Sequence, residues 1–283
     1  MNELHDTDPG DGARIAYRVF GEETAPALVL LHATLSTSGQ LLGLARLLAA
    51  GGHRVLVPDR RGSGASRLEP ARQVPVTRQV DDALALLDAE GIARAALVGH
   101  SFGGVVALEL AARAPERVRA VVAFEPPYVA VAGERERTGM EAIGRATDEA
   151  FLAGGRPAAA RAFMTAISSA AAWEALPKRT RAFLESEGGG AYADAGMGGL
   201  DPDALGDITA PVTLLAGTRS EPFYRPLARA LADRIPGARL RVLDGLAHTS
   251  PITEPALVAP AILEALASWD ASAASVPALE SAP

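Results

Sequence analysis

Short apolar runs alternate along this chain with segments of helical period. Arg14 to Phe20 reads as an early strand. Ala27 to Leu31 is apolar without interruption and has turn residues on both sides, the pattern of a strand buried on both faces of a parallel sheet. Gln40 to Ala50 follows with helical spacing, and Val55 to Val57 is a short strand that stops at Pro58-Asp59. Thr77 is placed to cap a helix carrying Val80, Leu84 and Leu87 on one face. Ala95 to Val98 is a further strand and Val105 to Ala112 a helix. Val118 to Phe124 is a buried strand ended by Pro126-Pro127.

The rhythm changes after Tyr128. From there to Asp207 the chain is rich in Ala, Gly and Glu, with no strand signal and with loose joints expected at Gly154-Gly155 and Gly188-Gly189-Gly190. Alternation resumes with strands at Val212 to Ala216 and Leu240 to Leu243, and helices around Leu227 to Ile235 and Ala256 to Trp269. Strands alternating with helices predict an α/β fold: a mostly parallel sheet of about eight strands with helices on both faces. The expected organisation is a core of residues 1–126 and 208–270, a helical cap of residues 127–207, and a disordered tail at 271–283. The cap would lie over the strand ends, where ligands bind in open α/β sheets.

Composition narrows the partners. The chain has 283 residues, 48% of them hydrophobic, and a net charge of −7. No basic stripe appears, which argues against nucleic acid. With no cysteine, disulfides, thiolate catalysis and Cys-based metal sites are excluded. The acidic, polar start lacks the apolar stretch of a secretory signal, and no apolar run approaches the roughly 18 residues of a membrane span. These features predict a cytoplasmic protein without a membrane partner; the expectation of a monomer or homodimer acting on a small, apolar molecule rests on the resemblance and the cap described below. No dinucleotide fingerprint, P-loop or metal cluster is present, so no cofactor is implied.

The chemistry centres on Val98 to Gly104, Val-Gly-His-Ser-Phe-Gly-Gly. A Gly-x-Ser-x-Gly between a strand and a helix is a nucleophile elbow: the turn is too tight for side chains at Gly99 and Gly103, and it exposes the Ser101 hydroxyl. A serine needs a base, and the base needs an orienting partner. Of the five histidines, His5 lies in a mobile N-terminus and His53 on a surface turn. His100 sits inside the elbow with its side chain pointing away from Ser101, and His32 braces the turn after the first buried strand. His248, in the loop past the last strand, is the expected base. The oxyanion hole would be made by the backbone N–H groups of Phe102 and Thr34.

These residues resemble the α/β-hydrolase superfamily along almost the whole chain. The resemblance is carried by His32-Ala33, by Asp59-Arg60-Arg61-Gly62-Ser63-Gly64-Ala65-Ser66, by the elbow, and by the loop at His248. It implies that Asp59 is structural, tying down the loop that follows it. It also implies an acid after the penultimate strand, but that stretch reads Gly217-Thr218-Arg219-Ser220-Glu221-Pro222, with Ser220 at the expected place. Glu221, one residue late, is one candidate. Glu125 is the other: it follows Val118 to Phe124, the alternative acid position of the superfamily, and a branch of the haloalkane dehalogenases has a similar Phe-x-Glu there. Those enzymes, like epoxide hydrolases, use a carboxylate nucleophile, so their reactions do not transfer to Ser101.

The implied function is hydrolysis of a small ester, lactone or thioester through an acyl-enzyme with a Ser-His-Glu triad. Two other readings stand beside it. One is acyl transfer, C–C cleavage or cofactor-free oxidative chemistry on the same fold; the other is a non-catalytic binder or signalling protein on a hydrolase scaffold. In the cap, Phe151, Phe163, Met164, Trp173, Phe183, Tyr192 and Met197 would shape an apolar pocket or form the cap's own core.

Overall fold

The computed structural model describes residues 3–195 and 200–274. Its strands are β1 (His5–Thr7), β2 (Ile15–Phe20), β3 (Ala27–Leu31), β4 (Arg54–Pro58), β5 (Ala95–His100), β6 (Val118–Phe124), β7 (Val212–Gly217) and β8 (Arg239–Leu243). They form one eight-stranded sheet in the order β1-β2-β4-β3-β5-β6-β7-β8. β1 pairs antiparallel with β2 and β2 antiparallel with β4; every other pairing is parallel. The fold is α/β, as expected.

The continuous apolar runs are explained by the two faces of this sheet. Val29, Leu31, Leu97, Val121 and Leu214 point to one side and Leu28, Leu30, Val98, Val122 and Leu215 to the other. Helices α2 (Val76–Ala89), α3 (Phe102–Arg113) and α8 (Tyr224–Arg234) cover the first side. Helices α1 (Leu42–Ala50) and α10 (Pro255–Ala274) cover the second. A strand covered on both faces has no polar side to alternate with.

Among the described residues, four α-helices lie between β6 and β7: α4 (Glu134–Ile167), α5 (Ala170–Ala175), α6 (Lys178–Ser186) and α7 (Gly188–Ala195). The short α9 (Ser250–Thr253) follows β8. Among the described residues no strand falls between β6 and β7, and no helix is long and apolar enough to cross a membrane.

Several local expectations are corrected. His5 is in β1, paired opposite Tyr17 and stacked on its ring at 5.4 Å. A short polar edge strand has no apolar alternation to announce it. Thr77 does not cap α2; Val76 begins the helix behind Pro75, whose ring presets the backbone without a side-chain cap. His53 is buried, not exposed. α4 does break at Gly155 (φ 67°), as the joint there suggested. Gly188-Gly189-Gly190 is no joint: it is the buried first turn of α7. A Cβ on Gly188 would lie 1.8 Å from the Arg156 carbonyl oxygen, so absent side chains let α7 pack against backbone. The expected tail is helical through Ala274; its remainder, 275–283, and Met197 lie outside the described residues.

Candidate active site

Ser101 sits between β5 and α3 with φ 52° and ψ −122°, a conformation that L side chains rarely adopt. Its own N–H donates to the Phe124 carbonyl at 2.9 Å, fixing the elbow to β6. The glycines are required by space. A Cβ on Gly99 would meet the Gly103 carbonyl oxygen at 2.4 Å, and one on Gly103 would meet the Leu31 carbonyl oxygen at 2.3 Å. The second of these contacts presses the elbow against the end of β3. That presses the start of α3, whose first residue is Phe102, against the Leu31-His32 backbone at the end of β3. The first amides of a helix have no carbonyl partner within it and form the positive end of its dipole.

His248 lies in the loop between β8 and α9. Its Nδ1 is 2.7 Å from Oε2 of Glu125. Glu125 follows β6 directly, is fully buried and holds φ 48°. Its N–H donates to the Leu215 carbonyl at 2.9 Å, and its Oε1 accepts from the Gly217 N–H at 2.7 Å. The backbone of β7 therefore orients the carboxylate from both ends. Gly217 is tied in turn to the histidine loop, since a Cβ there would lie 2.1 Å from the Leu246 carbonyl oxygen. Glu221 is exposed, and its carbonyl accepts from the Tyr224 N–H at 3.2 Å. Of the two candidate acids, the structure brings Glu125 and not Glu221 to the imidazole.

Three features were not read from the sequence. The first is His100, whose Nε2 donates to the His248 carbonyl at 2.8 Å, so the elbow itself holds the loop of the histidine. Burial, then the nearby His248, pushes the His100 pKa down to about 3. The ring therefore stays neutral.

The second is Tyr224, the first residue of α8. Its ring stacks on His248 (centroids 4.3 Å apart, planes at 10°) and its hydroxyl lies 3.1 Å from Nε2. Among the described residues that nitrogen has no other hydrogen-bond partner.

The third is a buried network beneath Thr34. Arg60 forms a bidentate pair with Asp194 of α7 at 2.8 and 2.7 Å, and donates to the His32 carbonyl and to Gln79. Its guanidinium lies 4.9 Å from the centroid of the Phe102 ring. Thr34 Oγ1 donates to the same Asp194 at 2.8 Å. The helices after β6 are thus pinned to the turn that carries Thr34. Only a residue far away in sequence completes this arrangement, so no local spacing announces it.

His32 accepts from the Arg60 N–H through Nε2 and meets the Ala33 carbonyl through Nδ1. Burial and the Arg60 charge hold its pKa well below the ordinary value. Asp59 accepts from the amides of Ser38 and Ala65, at 2.7 and 2.9 Å, which ties down the loop after β4. Of the aromatic residues in the segment after β6, Trp173 is buried with Leu35, Ala160 and Ala191, flanked by Phe163 and Met164. Phe151 stacks on Tyr192 at 4.0 Å.

With this geometry in hand, the relatives are informative. The sequence profile of the alpha/beta hydrolase family matches residues 28–261, and the chain belongs to that family. It is an α/β-fold hydrolase. A putative carbamate hydrolase RutD of Variovorax paradoxus is 32% identical over 277 residues, covering 93% of this chain and 98% of the relative. Epoxide hydrolase A of Mycobacterium tuberculosis is 35% identical over 118 residues, and the match spans only 37% of that protein's length. Among solved structures, an alpha/beta hydrolase from Sphaerobacter thermophilus has a TM-score of 0.73 and 29% identity, covering 92% of this chain and 99% of that one.

Proposed function

We propose that this hydrolase cleaves a small-molecule ester, lactone or thioester through an acyl-enzyme on Ser101. The observation that carries the reading is the 2.7 Å contact of His248 Nδ1 with the buried carboxylate of Glu125, one strand from the Ser101 elbow. The carboxylate fixes the ring with its proton on Nδ1 and leaves Nε2 as the base. The Ser101 hydroxyl gives its proton to Nε2 while Oγ bonds to the carbonyl carbon. The carbonyl oxygen becomes an oxyanion facing the Phe102 and Thr34 amides. Collapse breaks the bond to the leaving group, which takes the proton from Nε2. Water, activated by the same nitrogen, then releases the acid and restores Ser101. The substrate is a small molecule, and no cofactor takes part.

A second reading, attack on a carbamate, is supported by the Variovorax relative that covers nearly the whole chain. It uses the same groups and differs in the substituent on the carbonyl carbon, a nitrogen in place of carbon. A fluorophosphonate probe tests both, followed by assays on panels of esters, lactones and carbamates. Rapid labelling of Ser101, lost in Ser101→Ala, is the expected result. No labelling of the folded protein would sink the enzyme reading in favour of a binder, and the panel that turns over separates ester from carbamate.

A further inference from the structure

Leu35, one residue beyond Thr34, is buried and holds φ 55°. A leucine keeps such a backbone only where its surroundings fix it. Leu35 belongs to neither apolar layer of the sheet. Its side chain clusters instead with Ala160 of α4, Trp173 of α5 and Ala191 of α7. The residue before it is gripped by the same helices, since Thr34 Oγ1 donates to Asp194 of α7. The first half of the turn is held from the core. His32 accepts from the Arg60 N–H through Nε2, its carbonyl accepts from Arg60 Nε, and its Nδ1 meets the Ala33 carbonyl. Arg60 joins the two halves: its guanidinium pairs with Asp194 and also lies against the ring of Phe102.

We propose that Trp173 and Asp194 are positioning residues for the oxyanion hole, so that the helices between β6 and β7 set the aim of the Thr34 amide. The inference rests on the reading of Thr34 and Phe102 as the donors to the oxyanion. The labour is divided. Ser101 and Glu125 are fixed by backbone groups of the sheet, the Phe124 and Leu215 carbonyls and the Gly217 amide. The Thr34–Leu35 half of the donor turn has its side chains held by residues far along the chain. Displacing those helices frees the Thr34 hydroxyl and empties the space against Leu35, and a backbone strained at that residue then relaxes. A hydrogen bond to a charged oxygen depends steeply on distance and alignment, so a turn that relaxes loses the oxyanion before it loses the nucleophile.

Changing one atom of the substrate tests this. The best substrate of the panel is compared with its analogue carrying sulfur in place of the carbonyl oxygen. Sulfur accepts amide hydrogen bonds poorly, so a misaimed donor slows the oxygen substrate more than the sulfur one, whereas a lesion in binding or folding slows both alike. Thr34→Val keeps the shape of the side chain, removes only its hydroxyl and leaves Asp194 paired with Arg60. In that variant kcat for the oxygen substrate should fall about tenfold or more with KM within about threefold, and the oxygen-to-sulfur rate ratio should fall with it. Trp173→Leu acts from α5 and leaves the Thr34 hydroxyl in place; it should lower the ratio by about threefold or more. A ratio equal to the parent's in Thr34→Val overturns the proposal, and so does an equal ratio in folded Trp173→Leu. Thr34→Val decides alone if Trp173→Leu does not fold. Absence of Ser101 labelling in the parent protein overturns the functional reading and this inference with it. Labelling and turnover with an unmoved ratio strike this inference only.

Discussion

Ser101 and Glu125 both hold positive φ, at 52° and 48°, on the ends of adjacent strands. Such conformations cost of order 1–3 kcal/mol each and persist only where the surroundings fix them. Here the fixing groups are visible: the Phe124 carbonyl for one, the Leu215 carbonyl and Gly217 amide for the other. Glu125→Gln keeps the shape and removes the charge that stabilises a protonated His248. It should lower kcat by about 10²–10⁴ while leaving KM within a few-fold, measured on purified protein with the best ester of the panel. Glu221→Gln, on an exposed side chain, should change kcat less than about threefold in the same assay. Equal losses in the two variants would move the acid away from Glu125.

At the scale of elements, α7 is the member that could not be read in advance. Three consecutive glycines suggest a hinge, yet Gly188 and Gly190 are glycines because Arg156 and Ser63 leave no room. Gly188→Ala places a Cβ against fixed backbone and should cost about 1–3 kcal/mol in urea unfolding. Gly139, in α4, has nothing within 4 Å of its Cβ position, and Gly139→Ala should instead gain about 0.5–1 kcal/mol. The charge pair from α7 is a sharper probe. Asp194→Asn leaves the buried Arg60 guanidinium without a counter-ion, a change that typically costs about 3–5 kcal/mol. It also loosens the Thr34 turn, so residual activity should fall through kcat rather than KM. A stable variant with full kcat would show that α7 and the Thr34 turn are not coupled.

At the scale of the whole molecule, two buried histidines set the response to acid. The folded protein holds His100 near pKa 3 against an ordinary 6.5. Between those values the unfolded chain binds a proton that the folded one refuses, so stability falls as pH drops through that window. The slope is at most about 1.4 kcal/mol per pH unit for one such group. His32 acts in the same direction. Glu109 and Asp82, whose pKa values are raised by burial, act in the opposite direction. Comparison with His100→Asn isolates the histidine: its unfolding free energy should vary with pH by about one proton less between pH 6 and 4. An unchanged slope would contradict a neutral His100. The sequence by itself determined the sheet, because strands buried on both faces must be apolar throughout, and the elbow, because a tight turn admits only glycine at two fixed offsets. It also placed Ser101, His248 and the pair Glu125 and Glu221 in contention. Only the tertiary structure chose between the two carboxylates, since the choice turns on which side chain the backbone of β7 holds toward a ring 123 positions along the chain from Glu125. The stacking of Tyr224 on His248 and the Arg60–Asp194 pair belong to the same category. Each joins residues whose separation in sequence leaves no periodic or local signal, and only the packing of the finished fold brings them within hydrogen-bond reach.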